Sequence, residues 1–170
     1  MIADIFTKPV LVFGCGNPLI GDDGFGPEVI ERLCAHYHLP PSVHAEDAGT
    51  GICDLLFDLL LLPDKPTHLF IIDTVLVPNR LPGELFEIDL DHVPAQNQTE
   101  FSLHQFPSVN LLREMDKEAG IKVRILVVQA KNIPDFIQPG LSVEVQNALD
   151  PACKWITREV EKLAITQQVF

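Results

Sequence analysis

Three short runs of large apolar side chains constrain this chain most: Val10-Leu11-Val12-Phe13, Leu69-Phe70-Ile71-Ile72, and residues 123–128. Each has the length of a strand rather than a buried helix, and none shows the regular apolar-polar alternation of a strand with one wet face. All three are therefore predicted to be strands covered on both sides. In a soluble protein that implies a parallel sheet held between layers of helix.

The intervening segments read as those layers. Phe25, Val29, Ile30, Leu33 and Tyr37 recur at helical spacing, with Asp22 or Asp23 placed to cap the first turn. Residues 43–47 read as a second strand, and residues 52–62 as a helix closed by Pro63. Pro82-Gly83 marks a turn, after which Glu84-Leu85-Phe86-Glu87-Ile88-Asp89 alternates with period two, as a half-exposed antiparallel edge strand would. A helix is predicted to open at Phe106-Pro107-Ser108 and end at Gly120. A last amphipathic helix over 142–163 is expected to break at Pro151. The expected fold is a three-layer α/β/α sandwich on a mostly parallel twisted sheet of about five strands, one of them an antiparallel edge.

At 170 residues and 46% apolar, the chain has material for one core, so residues 1–170 are read as a single domain. The formal charge of -12 disfavours nucleic acid, whose affinity comes largely from cations displacing backbone counterions. No basic run suggests a membrane surface. The most apolar stretch, residues 55–62, is interrupted by Asp58 and stopped by Pro63, well short of the ~20 residues a membrane helix requires. Residues 1–8 lack the basic flank and apolar stretch of a secretion signal, so a cytoplasmic location is expected. Cys15, Cys34, Cys53 and Cys153 form no Cys-x-x-Cys pair and are expected to be buried free thiols.

In an open parallel sheet, ligands bind beyond the carboxyl ends of the strands, where loops and helix N-termini converge. The first strand delivers Asp22 and Asp23 there, the third delivers Asp73, and the loop before the helix that opens at Phe106 presents His104. Two carboxylates and an imidazole make a borderline-hard ligand set for a divalent metal, with coordination positions left for water or substrate. Each residue also has a plainer reading: helix capping for Asp22 or Asp23, a strand-end turn for Asp73, and a surface histidine for His104.

Gly14-Cys15-Gly16 after a strand begins a dinucleotide fingerprint, but Leu19 stands where the third glycine belongs. Two carboxylates at the helix start would also repel a pyrophosphate, so a nucleotide-binding α/β protein is the weaker alternative.

Gly14-Cys15-Gly16-Asn17-Pro18-Leu19-Ile20-Gly21-Asp22-Asp23-Gly24-Phe25-Gly26 resembles the opening of the hydrogenase maturation endopeptidases, G-x-G-N-x-L-x-x-D-(D/E)-G-x-G. Asp47-Ala48-Gly49-Thr50, Ile71-Ile72-Asp73-Thr74, Pro82-Gly83 and Ser102-Leu103-His104-Gln105 continue the resemblance in order along the chain. The resemblance places the family's three metal-binding positions on Asp23, Asp73 and His104, three of the four residues that strand-end geometry brings to that edge. Asp47 falls on a further acidic position of the family, although a turn-forming role suits it equally; Asp22 and Asn17 are secondary candidates. Val128-Gln129-Ala130-Lys131-Asn132-Ile133-Pro134 and Pro151-Ala152-Cys153 look most like the branch serving deazaflavin-coenzyme-reducing hydrogenases.

The resemblance implies an endopeptidase that trims the C-terminal extension of a hydrogenase large-subunit precursor. It also implies that nickel is supplied by that precursor and that other divalent metals can substitute. No G-x-S-x-G elbow is present, and Cys15 has no identifiable histidine partner, so covalent catalysis is not expected. Asp22 and Asp23, neighbours on one chain, are poorly placed to oppose each other around a water as an aspartic-protease dyad does. The alternative from another class is a metal-sensing chaperone that grips the precursor without cutting it.

Overall fold

The computed structural model describes residues 6–92 and 109–167. Strands β1 (Val10–Cys15), β2 (Val43–Gly49), β3 (His68–Val75), β4 (Leu85–Glu87) and β5 (Lys122–Gln129) form one sheet in the order β2-β1-β3-β5-β4. The first three and β5 run parallel, while β4 pairs antiparallel with β5 at one edge. Helices α1 (Phe25–His36), α2 (Ile52–Leu61), α3 (Val109–Lys117), α4 (Val143–Gln146) and α5 (Leu149–Gln167) complete the described elements, with a 3-10 turn at Gly21–Gly24. The mostly parallel sheet with an antiparallel edge, flanked by helices, matches the expected fold class.

The pleat explains why the central runs are apolar throughout. Val10, Val12, Phe70 and Ile72 point to the face covered by α1 and α5, where they meet Val29, Leu33, Ala152 and Ile156. Their neighbours Leu11, Phe13, Leu69 and Ile71 point to the other face, against Leu56 and Leu59 of α2 and Leu112 and Met115 of α3. Each such side chain contributes about 1.5–3 kcal/mol by leaving water. Arg124, a half-buried cation just before the buried run of β5, stacks over Trp155 at 4.7 Å and pairs with Glu87 and Glu159. Its stem packs on the apolar face while its charge stays at the surface.

The glycines of the first loop are required by close approach. A Cβ on Gly26 would lie 2.5 Å from the Cys15 nitrogen and 2.7 Å from the Ile72 oxygen, so α1 lies directly on β1 and β3. In dinucleotide folds the third fingerprint glycine allows that contact, whereas here Gly26 does so after Leu19 has taken the third position.

Several local expectations are corrected. The final helix does not break at Pro151: the chain turns between α4 and α5, and Pro151 sits in the first turn of α5. A proline is tolerated there because amide donors in that turn have no intrahelical partner. Neither Asp22 nor Asp23 caps α1, whose N-cap is Gly24 with no side-chain hydrogen bond. Cys15 and Cys153 are buried free thiols as expected, but Cys34 is exposed and Cys53 half-buried. The start of the helix containing α3, at residues 106–108, lies outside the described residues.

Candidate functional site

The strand order makes β1 and β3 neighbours whose outgoing connections run to opposite sides of the sheet, β1 toward β2 and β3 toward β4 and β5. Loops that part in this way open a crevice at the carboxyl ends of the two strands. Asp23, in the 3-10 turn after β1, and Asp73, near the end of β3, both lie there, at 4% and 6% exposure.

Backbone donors hold both carboxylates. Asp23 Oδ2 accepts the Asn17 N–H at 2.8 Å, while Asn17 Oδ1 accepts the Leu19 N–H at 3.0 Å and shapes the loop. Asp73 Oδ1 accepts the Thr74 N–H at 2.7 Å. Burial pushes the Asp73 carboxyl up to about 7; the Thr74 N–H opposes that rise and the charge of Asp23 adds to it. The two acids therefore share one electrostatic environment, where a divalent cation would relieve both burial and mutual repulsion.

Asp22, next in sequence to Asp23, has a different role. Its fully buried carboxylate accepts the N–H groups of Lys131 and Asn132 at Oδ2, each at 2.8 Å, and that of Ser142 at Oδ1, at 2.6 Å. The Ser142 hydroxyl adds a fourth bond to Oδ2 at 3.0 Å. Asp22 thus clamps the loop after β5 to the loop after β1. Its carbonyl in turn accepts the Thr74 hydroxyl at 2.9 Å, joining the end of β3 to the same turn. Thr74 therefore touches both halves of the site, holding Asp73 through its amide and the Asp22-Asp23 turn through its hydroxyl. Its only sequence signal was its place beside Asp73, and the partners of Asp22 were out of reach because they lie more than 100 residues away.

Asp47, at the end of β2, is exposed, and its Oδ1 accepts the Gly49 N–H at 2.8 Å, the turn-forming geometry considered for it. It still contributes to the field of the site. Cys15, the last residue of β1, is buried, and its thiol is pushed well up by that burial and by the charges of Asp73, Asp47 and Asp23. A thiol held protonated is a poor nucleophile, so the surroundings of Cys15 oppose covalent catalysis. His104 lies outside the described residues. Among the described residues no three acidic, histidine or cysteine side chains are arranged to hold a metal ion; Asp23 and Asp73 bring two carboxylates together. No described helix is long and apolar enough to cross a membrane.

A family model described as HycI, hydrogenase maturation protease, matches residues 27–159. The match begins just beyond Asp23 and includes Asp73 and His104. A Methanocaldococcus jannaschii chain assigned as a hydrogenase maturation protease is 36% identical over 157 residues, covering 91% of this chain and 98% of that one. The coenzyme F420 hydrogenase subunit delta of Methanothermobacter thermautotrophicus is 32% identical over 162 residues, covering 91% of this chain and 96% of its own length. The solved hydrogenase maturating endopeptidase HybD of Escherichia coli superposes with a TM-score of 0.68 at 28% identity, over 90% of this chain and 92% of that one.

Proposed function

The chain belongs to the hydrogenase maturation protease family, and on that premise we propose that it removes the C-terminal extension from the nickel-loaded large-subunit precursor of a hydrogenase. The observation that carries this reading is the buried pair Asp23 and Asp73 at the crevice between β1 and β3. Two carboxylates this poorly solvated suit a cation brought by the substrate better than they suit a neutral ligand.

In this reading Asp23, Asp73 and His104 grip the nickel ion that the precursor carries, and other divalent metals can substitute. A cation at such a site polarises a scissile carbonyl or lowers the pKa of an attacking water. Cleavage adds that water across one peptide bond, its hydroxyl going to the carbonyl carbon and its proton to the leaving nitrogen. The chain's own contribution is positioning: the Asn17 amide orients Asp23, and Thr74 orients Asp73. The coenzyme F420 hydrogenase relative supports assignment to the branch that serves deazaflavin-reducing hydrogenases.

The test is to incubate purified protein with nickel-loaded and nickel-free precursor and measure precursor mass. Loss of a C-terminal fragment from the loaded form alone is expected. Tight binding with unchanged mass would replace the endopeptidase by the non-cutting chaperone.

A further inference from the structure

The described surface carries nine exposed large apolar side chains; Leu19, Leu76, Leu81, Phe136 and Ile137 stand on the loops leaving the carboxyl edge of the sheet, and Val143 opens α4 just beyond one of them. The other three, Phe57, Leu61 and Ile165, belong to α2 and α5. Phe136 and Ile137 are 62% and 71% exposed, and the segment bearing them is bound to the loop after β1. The Gln138 amide donates to the Leu19 carbonyl at 2.9 Å, the Gly21 amide donates to the Gln138 carbonyl at 2.8 Å, and the Asp22 carboxylate holds both ends of the segment. On the other side, the Gly83 backbone packs against Glu144, which brings Leu81 and Val143 into the same region.

These apolar side chains thus stay exposed on segments tied together at the carboxyl edge of the sheet, the edge that also carries Asp23 and Asp73. Exposed apolar groups gathered in this way mark interaction surfaces more often than scattered ones do. Charge further narrows the occupant. Lys131 and Glu144 at this rim neutralise each other, and Asp23 and Asp73 are the buried acids at this edge. An apolar rim beside buried acids complements a surface that is apolar at its margin and cationic at its centre.

Resting on the function proposed above, we infer that the Leu19, Phe136 and Ile137 lobe, with Leu76, Leu81 and Val143 opposite, docks the apolar polypeptide surrounding the metal ion of the precursor. The rim sets affinity and the two acids respond to the ion.

The double substitution F136S/I137S, at exposed positions, tests this against the control F57S/L61S on α2. Precursor affinity is titrated with nickel-loaded precursor, and processing is followed by mass. The rim variant is expected to raise Kd and KM about tenfold or more, leave kcat within about twofold, and melt like wild type. The α2 control is expected to behave as wild type in every measure. Unchanged Kd in the rim variant, or equal weakening in the control, overturns the inference. Wild-type protein that binds the precursor without shortening it overturns the endopeptidase reading instead, and the rim is then judged on Kd alone.

Discussion

Replacing Asp22 by Asn separates the two adjacent acids most sharply. The carboxylate accepts three bonds at Oδ2 and one at Oδ1, all from backbone amides or the Ser142 hydroxyl. An asparagine has one acceptor oxygen, so its best orientation keeps the three bonds and turns its NH2 toward the Ser142 N–H. The three retained bonds fall from charge-assisted to neutral strength, about 1 kcal/mol each, and the donor left facing a donor costs about 1–3 kcal/mol more. A loss of about 4–6 kcal/mol is a large fraction of the roughly 5–15 kcal/mol by which a domain is stable. For a chain of this size it corresponds to a fall in Tm of roughly 8–24 °C. Thermal unfolding measures the total, and hydrogen exchange at the Lys131, Asn132 and Ser142 amides localises it. If D22N melted within about 2 °C of wild type, or if those three amides kept their protection, the clamp argument would fail.

Asp23→Asn and His104→Ala are expected to abolish precursor processing while Tm falls far less than in D22N; normal cleavage by both variants would remove the metal-site reading. Thr74→Val keeps the side-chain shape but removes the hydroxyl bond to the Asp22 carbonyl. It should cost about 1 kcal/mol and lower kcat, with Thr74→Ser restoring both; equal kcat in the Val and Ser variants would refute a positioning role. Glu159 is held at about 2 by Lys162 together with Arg124 and Arg158. Because its folded pKa lies below its unfolded value of about 4.3, its contribution is present above that pH and lost as pH falls toward 2. Urea titrations should accordingly show Glu159→Gln less stable than wild type at pH 7 and the gap closing by about pH 2; a gap independent of pH would contradict the linkage.

Much of the architecture was legible in the residues because the relevant signals are local. A run such as Leu69-Phe70-Ile71-Ile72 must be covered on both faces wherever it lies, and the alternation after Gly83 admits only a half-exposed strand. The carboxyl-edge rule then places Asp23 and Asp73 at a common crevice, because parallel strands end together. Pro151 was misread because a proline's effect depends on its distance from the helix start, which is set by the preceding turn between α4 and α5.

The family resemblance set Asp23 apart from Asp22, but the clamping role of Asp22 was decided by tertiary structure alone. In sequence they are identical, adjacent and equally suited to cap a helix. In the fold, one carboxylate meets the backbone of a loop over 100 residues away, and the other lies in the crevice opposite Asp73. Periodicity reports which face of an element is buried, since burial follows from the element's own geometry. The role of a buried charge depends on the donors that satisfy it, and those arrive from parts of the chain that only folding brings near.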